Sequence, residues 1–175
     1  FVLTTDFLLP KRHKPGLAAI SIVGLAAIGL FSIIQLGNES ETSLYEGIFL
    51  VDRFSLVFKL VFISLGILII LASSDFVKKF LHHPGEYYAI IIFSILGMML
   101  MASSAELLTA YVSLELLSFS LYILVSMSRD EPKSNEAGVK YILLGAFGSA
   151  LLLYGISLVY GTLGTTTFVE IGQTM

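Results

Sequence analysis

Apolar residues in this chain come in five long runs, at 16–36, 54–74, 87–104, 107–127 and 135–160. A helix needs about 20 apolar residues to cross a hydrocarbon core about 30 Å thick, so each run is read as one membrane span. Lys59 alone breaks the second run, Glu115 sits near the middle of the fourth, and Lys140 lies within the first turns of the fifth. A barrel reading fails, because period-2 alternation is absent and the runs exceed a barrel strand of about 10 residues. The pattern therefore predicts an all-α, polytopic transmembrane helix bundle with five full spans. Residues 1–10 end on Phe-Leu-Leu-Pro and lead into a basic turn, which reads as the tail of a preceding span. A signal peptide would carry its positive charge ahead of the apolar stretch, not after it. Residues 165–175 have a loop-like composition, so 1–175 is expected to be a fragment forming a single membrane domain.

Composition agrees: 56% of the 175 residues are hydrophobic, 13% are charged, and mean hydropathy is +0.90. Soluble domains hold about 45–50% apolar and about 25% charged residues. A net charge of −3 excludes disorder, a basic nucleic-acid-binding face and an acidic solvated tail. The absence of cysteine excludes disulfides, zinc ribbons and iron–sulfur ligation from this chain. No dinucleotide or nucleoside-triphosphate fingerprint is present.

Charge outside the spans is lopsided. If helices alternate across the membrane, Lys11, Arg12, Lys14, Lys78, Lys79, Arg129 and Lys133 share one side, and Arg53 lies on the other. Basic loops are retained in the cytoplasm, which orients the chain. The opposite loop, 37–53, carries Glu39, Glu41, Glu46 and Asp52. The turn at Ala105 and Glu106 is short enough to make the third and fourth helices antiparallel neighbours. Tyr87 and Tyr88 suit an interfacial anchor, Asp52 a helix cap, and His82 and His83 ordinary loop positions.

Ionisable residues inside a span cost about 3 kcal/mol or more at mid-depth unless water or a partner relieves them. Glu115 lies about 12 Å from one end of its span and about 18 Å from the other, beyond the reach of its short stem. Burial favours its neutral form and a nearby cation its charged form, so a moving partner could load or unload a proton. The alternative is a static Glu–Lys clamp between helices. Lys140 is the partner candidate within the chain, but counting along both helices leaves an offset of about 10 Å that water would have to bridge. Its rival reading, like that of Lys59, is a snorkelling lysine. Gly145 with Ser149, and Ala146 with Ala150, read as close-packing positions. Ser118, on the face of Glu115, reads as a local hydrogen-bonding group.

The segments GMMLMASS (97–104) and LLTAYVSLELLSFSLY (107–122) resemble the glutamate-bearing helix of the antiporter-like membrane subunits of respiratory complex I. SNEAGVKY (134–141), the following LLGAFGSALLLYG (143–155) and DRFSLVFK (52–59) are similar to the subunit N group of bacterial NADH-quinone oxidoreductase. The resemblance implies part of a fourteen-helix fold with inverted repeats, of which this chain would hold helices two to six. It implies that Glu115 is the family glutamate that tunes a lysine on a discontinuous helix further along. It places Lys140 at a lysine of the subunit N group; Lys59, which lies in a similar stretch, is kept beside them as a further relay candidate. The implied activity is proton translocation driven by quinone reduction in partner subunits of a translocase in the bacterial inner membrane. No cofactor is expected in this chain, with NADH, FMN, iron–sulfur clusters and quinone assigned to partners. The expected partners are other complex I membrane subunits, the lipid bilayer and protons, with no metal and no nucleic acid. Two alternatives stand beside it: a subunit of a multi-subunit sodium/proton antiporter, and a non-transporting membrane scaffold.

Overall fold

Without water to satisfy backbone polar groups, a chain crossing lipid must pair them internally, and a long apolar run does so as a helix. The computed structural model describes residues 16–38, 42–81 and 83–174. Within them lie α1 (Gly16–Gly37), β1 (Thr42–Leu44), β2 (Phe49–Val51), α2 (Arg53–Phe80), α3 (Pro84–Ser103), α4 (Leu107–Val125), α5 (Pro132–Leu163) and α6 (Phe168–Thr174). The first five of these helices, α1 to α5, are long and apolar enough to cross a membrane. The anticipated tail at 1–10, the basic residues Lys11, Arg12 and Lys14, the acidic Glu39 and Glu41, and His82 lie outside the described residues.

α2 and α5 overrun their apolar runs furthest. α2 continues past 74 through Asp75, Lys78 and Lys79 to Phe80, with both lysines in its last turn. Cations there complement the negative end of the helix dipole, so the lipid boundary and the helix end need not coincide. α5 begins at Pro132, a residue type suited to the first helical turn, and ends at Gly164 in the left-handed region (φ 73°). Asp52 caps α2: its Oδ1 accepts from the Ser55 amide at 2.8 Å, and Ser55 Oγ accepts from the Asp52 amide at 3.1 Å.

The core lies among α1, α2 and α3, where Leu17, Leu25, Ile63, Ile70, Val77, Tyr88, Ile91 and Ile95 interlock. α3 packs most extensively on α4, and α4 in turn on α5. Where α2 meets α3, Gly66 leaves the space that the Ile95 side chain fills.

The loop after α1 holds an antiparallel hairpin, with Thr42 opposite Val51, Ser43 opposite Leu50 and Leu44 opposite Phe49. Its turn places Tyr45 (φ 52°), Glu46 (φ 57°) and Gly47 (φ 95°) in the left-handed region, easy for glycine and costly for the other two. The hairpin sits on the α3–α4 turn, where the Ala105 amide donates to Ile48 O at 2.9 Å. The segment before α6 joins the same turn: the Leu107 amide donates to Thr166 O at 2.9 Å and the Phe168 amide to Ala105 O at 3.1 Å.

Candidate functional site

Glu115 occupies the middle of α4. At about 100° per residue, Ser113 and Leu117 lie on the face of α4 opposite Glu115, while Tyr122 and Ser126 share its face. The structure uses both faces. A Cβ on Gly97 of α3 would lie 2.8 Å from the Leu117 amide nitrogen and 3.0 Å from Ser113 O, so α3 and α4 touch backbone to backbone behind Glu115. Glu115 is thereby turned toward α5.

On α5 the matching face is Gly138, Gly145, Ser149 and Ile156. A Cβ on Gly138 would lie 2.6 Å from Ser126 Cβ, and one on Gly145 would run into the Tyr122 hydroxyl. Gly138 and Ile156 are the buried residues of this helix. Small residues let helices approach closely where lipid supplies no hydrophobic drive to association. One turn beyond Gly145, Ser149 Oγ donates to Glu115 Oε1 across the helix pair. Tyr122, 5% exposed, closes the contact toward the basic end by stacking edge-on against Tyr141 at 4.8 Å.

Lys140 has a different partner. Its Nζ pairs with Glu136 on the preceding turn of α5, with both side chains largely exposed. By residue count it stands about 13 Å along α5 from Ser149, so the structure does not bring Lys140 and Glu115 into one contact. Lys59 is partly buried on α2, a helix that packs against α1 and α3. The described residues thus leave the candidate charges apart: Glu115 between α4 and α5, Lys140 at the start of α5, Lys59 in the first turns of α2.

Sequence reasoning missed Ser149, because a serine one turn from a glycine is indistinguishable from packing until helix azimuths are known. On α4, Ser113 Oγ and Ser120 Oγ donate to carbonyls on their own helix, Thr109 O and Leu116 O, each at 2.7 Å. Glu106, read only as part of a short turn, accepts from Thr109 Oγ1 at 2.6 Å and Thr166 Oγ1 at 2.8 Å, tying two connections together. At the basic end, a cavity of about 480 Å³ opens among Lys79, His83, Glu86 and Arg129, with Phe80, Leu81 and Met127 also lining it. Arg129 lies 3.7 Å from Glu86 there. Among the described residues no cluster of His, Cys, Asp and Glu suits a metal ion.

Comparison with known proteins bears on this arrangement. The family model described as NADH:quinone oxidoreductase/Mrp antiporter, transmembrane, matches residues 104–175. The chain is 36% identical over 174 residues to NADH-quinone oxidoreductase subunit N of Desulfitobacterium hafniense, covering 99% of this chain and 35% of that protein. It is 40% identical over 172 residues to the subunit N of Moorella thermoacetica, covering 98% of this chain and 36% of that protein. Among solved structures it is similar to a chain of respiratory complex I from Thermus thermophilus (TM-score 0.76, 29% identity, 95% of this chain and 35% of that one). A chain of the membrane-bound sulfane sulfur reductase, an archaeal respiratory membrane complex, shares the fold (TM-score 0.79, 23% identity, 99% and 37%). The chain spans about a third of the length of the curated relatives it matches.

Proposed function

We propose that this chain, which belongs to the NADH:quinone oxidoreductase/Mrp antiporter transmembrane family, is part of a proton-translocating membrane subunit of NADH-quinone oxidoreductase. The observation that carries the reading is Glu115, a carboxylate halfway along a helix apolar enough to cross a membrane, facing a neighbouring helix with a polar contact. Ionisable groups at that depth belong by default to ion and proton pathways.

In this reading the complete protein lies in the bacterial inner membrane with its basic loops in the cytoplasm. Electron transfer through NADH, FMN, iron–sulfur clusters and quinone takes place in partner subunits, and this chain holds no redox centre. Glu115 acts electrostatically. Ionised, it stabilises a cation elsewhere in the subunit; once protonated it releases that cation's proton, because an opposite charge favours the charged form of its neighbour. Lys140, with Glu136, is the next charge toward the cytoplasm, and Lys59 a further one on α2.

The test is Glu115→Gln in the complete protein within its complex. The expected outcome is an assembled complex that still oxidises NADH while protons moved per electron fall several-fold. Unchanged proton-to-electron stoichiometry in the assembled complex overturns the relay, and failure to assemble favours the scaffold reading. The family description also names Mrp antiporters, which favours a sodium/proton antiporter subunit as second reading. Sodium-dependent proton movement without quinone reduction would select it.

A further inference from the structure

Serine hydroxyls inside apolar helices usually satisfy themselves on a carbonyl three or four residues back. This chain follows the habit repeatedly: Ser32 donates to Ile28 O, Ser64 to Leu60 O, Ser94 to Ile91 O, Ser113 to Thr109 O, Ser120 to Leu116 O and Ser157 to Tyr154 O. Ser149 departs from it, sending its hydroxyl across to the Glu115 carboxylate.

The surroundings make that contact directional. Gly97 presses α3 against the back of α4, and Gly138 and Gly145 bring α5 against its front, which leaves Glu115 facing Ser149. Among the described residues, no charge competes for the carboxylate at this depth. Neither 89–103 of α3 nor 142–153 of α5 holds a titratable residue. Tyr111 lies one turn away on α4, Tyr122 stacks on Tyr141, Tyr154 follows on α5, and Lys140 is taken by Glu136.

We propose that Ser149 is the positioning residue of Glu115: its hydroxyl holds the carboxylate against α5 and fixes the geometry from which Glu115 acts on its cation. This rests on the relay reading given above. A hydroxyl donating to a carboxylate oxygen is a strong contact where water is scarce, and removing it takes away the hydrogen bond that ties Glu115 to α5.

The experiment exploits opposite demands on side-chain size, in the complete protein within its complex. If Ser149 positions Glu115, Ser149→Ala lowers protons moved per electron by about three- to tenfold, whereas Ser149→Thr, which keeps the hydroxyl, retains most of the wild-type value. If Ser149 only provides a small packing surface, the order reverses, because Ala is smaller and Thr larger. In a Glu115→Gln background, Ser149→Ala should add no further loss, since two residues acting through one contact are not additive. A silent Ser149→Ala, a reversed order, a full Ser149→Ala penalty in the Glu115→Gln background, or loss of the assembled complex with both Ser149 variants each overturns the proposal. Unchanged stoichiometry in Glu115→Gln fells the relay reading itself. A damaged Glu115→Gln beside a silent Ser149→Ala fells only the role of Ser149.

Discussion

Carboxylates in this chain do different work according to their solvent. Near the loops, Asp52 caps α2, Glu106 ties the α3–α4 turn to the segment before α6, and Glu170 gathers the hydroxyls around the start of α6. Hydrogen bonds from Thr165 and then Thr167 hold the Glu170 carboxyl below its ordinary value of 4.5. A carboxyl lowered by folding stabilises the folded form above its unfolded value, and that support is lost as pH falls through the folded value. Carbon-13 titration of the Glu170 carboxyl should therefore give a midpoint below 4.5, rising toward it when Thr165 is replaced by Val. A midpoint at or above 4.5 in the unaltered protein would contradict the contacts. Glu115 was legible as unusual because its neighbours in sequence are apolar. Its partner was not, because Ser149 is distant along the chain.

Glycine decides how the elements meet. At Gly97 an added methyl group would run into backbone of α4, which cannot yield as a side-chain tip can. Gly97→Ala should therefore destabilise the α3–α4 pair by about 1–3 kcal/mol, the usual cost of overpacking. Gly148→Ala, on a face with no atom within 4 Å, should be neutral or stabilise α5 by up to about 1 kcal/mol. Thermal unfolding of the two variants in one detergent separates them; equal midpoints would mean that α3 and α4 are not in backbone contact. Element identities were readable from run length, but ends were less so. α2 continues through its charged last turns past the apolar run, and the hairpin at 42–51 forms from residues that read as loop. Its strands, short and partly polar, lean on Ser104 and Ala105, and no local pattern announces that support.

At the scale of the whole molecule, the hairpin, the α3–α4 turn and the segment before α6 are joined by backbone hydrogen bonds at one end of the bundle. Lys79, His83 and Arg129 gather at the other end. The positive-inside asymmetry predicts that the hairpin end faces away from the cytoplasm. These 175 residues contain no cysteine, so single cysteines report cleanly once any elsewhere in the protein are removed. Tyr45→Cys, at a hairpin position 76% exposed, should react with a membrane-impermeant maleimide in intact spheroplasts. Lys133→Cys should react only after permeabilisation, and the reverse pattern would invert the orientation.

What the sequence determined by itself follows from the solvent. Lipid requires every backbone group to be paired within the chain and every span to reach a set length, so the five helices and the depth of Glu115 could be read by counting. Counting also set Lys140 apart from Glu115 in depth. Tertiary structure alone decided which way Glu115 faces and that Ser149 meets it. Those outcomes depend on the rotation and register of one apolar helix against another, and lipid is indifferent to both. The close contacts at Gly97, Gly138 and Gly145 set them instead, between residues on different helices.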